Sequence, residues 1–264
     1  FMLYILTCLT VEHDLRLVLL AALICFLSCY AAVVLTQRAL VCGGMARVLW
    51  LGAAGASSGF GIWATHFIAM LAYDPGMDMG FLMEPTLVSL GVAIFVTAAG
   101  LGVATYVSGR SAVLAGGLLL AAGVTSMHYI GMSAVELPGT LFFDKTYVAA
   151  SVVSAALFST LGLICCLRPA PRAWDRALAT GLMALAVVSL HFTAMAAVRI
   201  EPGPMPVSGE TMLSTSVMVP LIATVAFSLL IAGLTAAVFA RQAEMTANEN
   251  ARRFSMLLQG VKDY

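Results

Sequence analysis

Long apolar stretches alternate with short polar breaks along this chain, and the breaks define the elements. Apolar runs cover residues 15–36, 48–72, 86–107, 112–135, 147–167, 177–198 and 216–240. As a helix, each is long enough to cross a hydrocarbon core of about 30 Å at about 1.5 Å per residue. The breaks collect Gly, Pro and charge, as in Asp74-Pro75-Gly76, Ser108-Gly109-Arg110 and Glu201-Pro202-Gly203. The pattern predicts an all-α membrane protein, a bundle of seven transmembrane helices. Residues 1–14 form a short outer segment ending in Glu12-His13-Asp14, residues 15–240 the membrane domain, and residues 241–264 a polar tail.

Composition and charge sharpen this picture. With 61% hydrophobic and 10% charged residues, the chain is excluded from the soluble globular class. The breaks after runs one, three, five and seven hold Arg38, Arg47, Arg110, Arg168, Arg172, Arg176 and the basic residues of the tail. The opposite side holds only Arg16, Lys145 and Arg199, with nine of the thirteen carboxylates. The positive-inside rule then puts the N-terminus outside and the C-terminus in the cytoplasm. The first run continues as a full span, which argues against a cleaved signal peptide. Six cysteines show neither zinc-like nor disulfide spacing. Cys25 and Cys29, one turn apart, read as small apolar residues rather than a metal pair.

Candidate chemistry lies in a repeat. HFIAM (His66 to Met70), HYIGM (His128 to Met132) and HFTAM (His191 to Met195) share the pattern His, aromatic, any residue, small residue, Met. The histidines are 62 and 63 residues apart, a fixed period with fixed chemistry. All three motifs fall near the outer ends of runs two, four and six, each followed by an acidic residue and Pro-Gly that stop the helix. The fold expectation is therefore three tandem two-helix repeats, runs 2–3, 4–5 and 6–7, with run one outside the repeat. On a helix, His at i and Met at i+4 lie about 40° apart and about 6 Å along the axis, so each pair forms one stripe. The small residues Ala69, Gly131 and Ala194 let a neighbouring helix approach. Imidazole with thioether suits copper, Cu(I) above all, and suits Mg²⁺ or Ca²⁺ poorly. The candidate metal ligands are His66, Met70, His128, Met132, His191 and Met195. Met127 is an added candidate, although it points about 100° away from His128. His13 at the outer mouth is either a further ligand or an ordinary exposed residue. Trp63 and Thr65 read as packing and hydrogen-bonding neighbours. The competing readings are histidines that only hydrogen-bond between helices, and haem ligation by two of them.

Seven spans with this motif on three of them, one reading Met127-His128-Tyr129-Ile130-Gly131-Met132, resemble the MHYT family of bacterial integral-membrane sensor domains. The resemblance implies a sensory module of the bacterial inner membrane, with copper ligated by motif Met, His and Tyr. It implies oxygen, carbon monoxide or nitric oxide as signals, and a cytoplasmic output domain that makes or degrades cyclic di-GMP or is a histidine kinase. Thr65 and Leu190 replace the leading Met, and Phe67 and Phe192 replace the Tyr. A phenol or upstream thioether can therefore act in the middle repeat only, through Tyr129 or Met127. One shared or two unequal sites are expected rather than three equivalent ones.

The tail is charged, free of Gly and Pro over 241–253, and is expected to continue the seventh helix into the cytoplasm. Residues 253–264 resemble the start of a PAS domain, and the continuing helix is expected to offer a surface for dimerisation. Nothing in this chain reads as an acid–base or nucleophilic catalyst, and nothing points to nucleic acid. Besides the sensor, copper or ion transport and a haem-bearing membrane redox protein stay open.

Overall fold

The computed structural model describes residues 10–77, 79–204, 212–213 and 217–228, with isolated positions beyond, the last being residue 256. Six long helices make the bundle: α1 (Leu15–Val41), α2 (Gly44–Ala72), α3 (Met83–Tyr106), α4 (Arg110–Ser133), α5 (Lys145–Cys166) and α6 (Ala173–Met195). A shorter apolar helix, α7 (Val217–Ser228), follows, and its Met218 and Ile222 are buried in the main core cluster. Most of the expected seventh span, the expected tail helix and residues 1–9 lie outside the described residues.

Among the described residues five helices, α1, α3, α4, α5 and α6, are long and apolar enough to cross a membrane, where the sequence led to an expectation of seven spans. The difference at α2 is physical. Its 29 residues suffice in length, but it is rich in Gly and Ser and carries Thr65 and His66. Every residue from Gly61 to Met70 is buried, so this helix meets other helices on all sides there rather than lipid. Small residues permit that: a Cβ at Gly59 would lie 2.5 Å from the α3 backbone at Ile94, and one at Gly55 would collide with Ala98.

The six helices close into a ring. The most extensive packing joins α1 to α2, α3 to α4 and α5 to α6, hairpins turned at the Arg-rich end. Packing of α2 on α3, α4 on α5 and α6 on α1 closes the ring, while α4 touches both α2 and α6 inside it. Run one, expected to stand outside the repeat, is thus the outer partner of the first motif helix. It also runs past the expected residue 36 to Val41, because Gln37 stays folded by donating to the Cys166 carbonyl (3.1 Å) and accepting from Arg176 (2.9 Å).

At the opposite end the expected irregular loops are short strands, an addition to the all-α expectation. β1 (Gly80–Leu82) pairs antiparallel with β2 (Val135–Glu136) and with β5 (Met212–Leu213); β3 (Gly139–Phe143) pairs antiparallel with β4 (Val198–Pro202). One backbone bond recurs in all three hairpins. The carbonyl at the exit of each motif helix, Ala72, Ala134 or Ala197, accepts from the N–H of the residue that starts its outer partner. The donors are Asp14 (2.9 Å), Leu82 (2.8 Å) and Asp144 (2.9 Å). Each acceptor lies six residues beyond a motif histidine, so the clasp has the period of the motif.

Candidate metal centre

The motif histidines sit about one and a half turns before the ends of α2, α4 and α6, on the faces turned into the ring. All three are buried, His66 and His128 to 1% exposure. Nδ1 of His66 lies 3.2 Å from Nδ1 of His128 and 3.3 Å from Nδ1 of His191, and the rings pack edge to face. Among the described residues this is the one group of three His, Cys, Asp or Glu side chains whose ligand atoms converge.

A neutral ring nitrogen has one proton or one lone pair to offer. His66 Nδ1 therefore cannot make two full hydrogen bonds, so hydrogen bonding leaves the cluster under-satisfied. A single cation satisfies all three lone pairs. Nitrogen ligands at about 2.0–2.1 Å from a tetrahedral metal stand about 3.3 Å apart, the spacing of His66 from each of its two neighbours, and the ligand atoms of all three lie within 4.8 Å of one another. Neutral donors also suit a soft ion without a buried counter-charge.

Local sequence explains the convergence. Gly131, the small residue of the middle motif, faces the imidazole of His66: a Cβ there would lie 2.5 Å from His66 Nε2 and 2.8 Å from Cδ2. Met70, Met127, Met132 and Met195 are all buried in one core cluster. Trp63 is buried and donates to the Thr86 carbonyl (3.0 Å), and Thr65 donates to the Gly61 carbonyl (2.7 Å), the neighbour roles expected of them. Cys25 and Cys29 are buried in the apolar core.

Two candidates fall outside the triad. The Tyr129 hydroxyl is turned to α5, 3.1 Å from Ser151 Oγ. His13 is buried rather than exposed, bridges to Tyr73, and its ring centroid stands 6.4 Å from that of His191, so it packs beside the triad at the strand-bearing end of the bundle. Its place follows a rule that sequence reasoning missed. The aromatic residue after each motif histidine packs on the residue just before the clasp of the next hairpin. The pairs are Phe67 on Phe81 (5.6 Å between centroids), Tyr129 on Phe143 (5.8 Å) and Phe192 on His13 (5.4 Å). An aromatic ring just ahead of each outer helix was the available signal, visible once the helix starts are aligned.

Comparison with known proteins finds the family model for the MHYT bacterial signalling protein N-terminal repeat over residues 59–117 and 122–179. The third motif, at His191, lies beyond those matches yet completes the triad. An uncharacterized signaling protein of Caulobacter vibrioides is 35% identical over 252 residues, covering 95% of this chain and 31% of the relative. The bifunctional diguanylate cyclase/cyclic di-GMP phosphodiesterase MucR of Pseudomonas aeruginosa is 31% identical over 71% of the chain and 28% of its own length. The cyclic di-GMP phosphodiesterase NbdA of the same organism is 30% identical over 92% of the chain and 32% of its own length. The chain thus spans about a third of the length of these relatives. No solved structure matches it.

Proposed function

The chain belongs to the MHYT family of bacterial signalling proteins, and from that premise we propose that it is a membrane-embedded sensor domain whose triad His66, His128 and His191 holds a copper ion. The observation that carries this reading is the meeting of three Nδ1 atoms at 3.2 and 3.3 Å around His66. Met70, Met132, Met195 and Met127, all buried in one core cluster, are the candidate thioether ligands and favour Cu(I). His13 closes the outer side of the site. The signal is copper itself or a diatomic gas, O₂, NO or CO, meeting the bound metal.

In this reading the domain covers residues 15–240 as seven spans in the bacterial inner membrane, flanked by an outer segment 1–14 and a cytoplasmic linker 241–264. The N-terminus is outside, because Arg38, Arg47, Arg110, Arg168, Arg172 and Arg176 gather at the opposite end. A change at the triad shifts the seventh helix, which passes the displacement to a cytoplasmic output domain. By likeness to MucR and NbdA that output is turnover of cyclic di-GMP, with a histidine kinase as the other family form. The membrane domain itself is an input module with no catalytic constellation among the described residues, and its partners are lipid, the output domain and a second copy joined through the continuing helix.

Transport is the second reading. Beneath the triad, Cys29, Ser58, Thr97 and Ser159 border a cavity of only about 20 Å³, room for about one water, which favours a held ion over a conducted one. Haem ligation is disfavoured because the three rings pack directly on one another, with centroids 4.9 to 5.4 Å apart, leaving no plane for a macrocycle.

The test is elemental analysis by inductively coupled plasma mass spectrometry, with an absorption spectrum, on purified protein. Stoichiometric copper that is lost when His66, His128 and His191 are all changed to leucine supports the reading. Absence of bound metal after copper loading would reduce the triad to helix–helix hydrogen bonding.

A further inference from the structure

The ring has three seams where one hairpin meets the next, α2 on α3, α4 on α5 and α6 on α1, and the last of these is hollow. At the α2–α3 seam Trp63, three residues before a motif histidine, is buried and donates to the Thr86 carbonyl at 3.0 Å. Val188 is its counterpart at the α6–α1 seam. Counted from the clasp donors Leu82 and Asp14, Val18 and Ala22 there take the places of Thr86 and Leu90. These side chains leave a cavity of about 130 Å³, bounded by Val18, Ala22, Thr65, Ala69, Val188 and His191 among others. The space has the size of an aromatic ring; an apolar cavity of about 150 Å³ admits benzene.

One polar atom is left for an occupant to meet. Nε2 of His191 is buried and has no hydrogen-bond partner among the described residues. Its direction follows from the repeat. Nε2 of His66 is turned to Gly131, the small motif residue of the next unit, where a Cβ would lie at 2.5 Å. For His191 the counterpart of Gly131 is Ala69, and His191 and Ala69 border the cavity together. The Thr65 hydroxyl is already engaged, donating to the Gly61 carbonyl at 2.7 Å. A hydrocarbon occupant would leave Nε2 unpaired in a buried site, and a charged one would lose its hydration to carbon walls. A neutral oxygen answers both. A hydroxyl pairs with either tautomer of the imidazole, and a carbonyl pairs with the Nε2–H form that a metal on Nδ1 would fix. Ala22 is exposed on the outer surface of α1 beside the exposed Leu19 and Leu23, so the cavity faces the hydrocarbon side. We propose that this seam cavity binds a lipid-soluble, oxygen-bearing ring, the headgroup chemistry of quinones and alkylphenols, with its oxygen hydrogen-bonded to Nε2 of His191 and its tail in the bilayer. The route of entry rests on the membrane-embedded reading given above; copper is not required.

The test titrates metal-free protein, carrying ¹³C-methyl alanine and ¹⁵N-imidazole histidine, with para-decylphenol in nanodiscs of synthetic phosphatidylcholine. Ala21 and Ala69 line the cavity, whereas Ala64 and Ala155 are buried elsewhere. Saturable shifts are expected at the Ala21 and Ala69 methyls and at Nε2 of His191, with Ala64 and Ala155 unmoved. The phenol should bind about tenfold or more tightly than decylbenzene, which has the same ring and tail without the oxygen. Val188→Trp, which supplies the missing indole, should abolish the shifts; should that variant fail to fold, Val188→Phe fills the same space with a smaller ring. Decyl-para-benzoquinone binding as tightly as the phenol would place the ligand among quinones, and binding of the phenol alone among hydroxylated rings. Equal affinity for the phenol and decylbenzene would overturn the proposal, as would the absence of a saturable shift at Ala69. Because copper is absent throughout, failure here leaves the metal reading standing, and failure of the metal reading leaves this one.

Discussion

Gly131 holds the triad together by having no side chain. His66 leans on it so closely that a single methyl group must push the imidazole away from His128. Gly131→Ala is therefore expected to weaken copper binding about tenfold or more, the scale on which second-shell changes act at metal sites. Gly181→Ala is the control, since nothing lies within 4 Å of a Cβ there; competition with a chelator of known affinity reads both. Weakening by the control alone would separate the triad from metal binding. The geometry also makes His66 the hub, so His66→Leu should lose copper at least as completely as His128→Leu in the same assay. At this scale much was legible. The repeated His singled out the three imidazoles that converge, and the small residue three positions later marked Gly131, on which His66 packs. The direction of Tyr129 was not legible, because a residue one step from the histidine is carried about 100° around the helix and only the neighbouring helix fixes what it meets. Nor was the burial of His13, whose neighbours Tyr73 and Phe192 are distant in sequence.

Among the elements, α2 separates length from hydropathy. Its glycines are contact surface: overpacking at Gly59 should cost about 1–3 kcal/mol, whereas Gly52, with open space around it, should tolerate a larger side chain. Denaturation of Gly59→Leu and Gly52→Leu in mixed micelles measures the difference, and equal stability would contradict close α2–α3 packing. Outside the membrane-spanning segments, Asp144 caps α5 by accepting from the Thr146 N–H at 2.8 Å, a bond that with the nearby Arg199 holds its carboxyl below the ordinary range. A lowered folded value means that the cap contributes above the ordinary aspartate value of about 3.9 and is lost as pH falls through the folded value. The Tm gap between the unsubstituted protein and Asp144→Ala should thus be open at about pH 6 and narrow toward about pH 3; a gap constant over that range would refute the cap. Apolar runs located the helices to within a few residues. They concealed the strands, because two- to five-residue segments between Pro and Gly carry no usable period.

Over the whole molecule, one end carries the three backbone clasps and the short strands, and the other the arginine-bearing turns. If that polarity is the membrane polarity, a membrane-impermeant thiol reagent should label Met77→Cys in intact cells and Ser108→Cys only after permeabilisation. The reverse pattern would invert the proposed topology. The repeat and the number of motif helices were legible here; the order of packing was not. Linear sequence allows run two to pair with run three or with run one, and the backbone bond from Asp14 to Ala72 decides for run one.

The aromatic contacts between hairpins have one more consequence. Phe67 meets Phe81, Tyr129 meets Phe143, and Phe192 returns to His13, so each unit offers a plug to its successor and a socket to its predecessor. A head-to-tail contact of this kind closes after a number of units set by its own rotation, and here the rotation closes at three. Covalent linkage between the units is then a convenience of the gene rather than a requirement of the assembly. Two fragments divided in the connection at 74–77, between α2 and α3, should find each other in the membrane and rebuild the ring, and a lone α1–α2 hairpin would leave Phe67 without a socket.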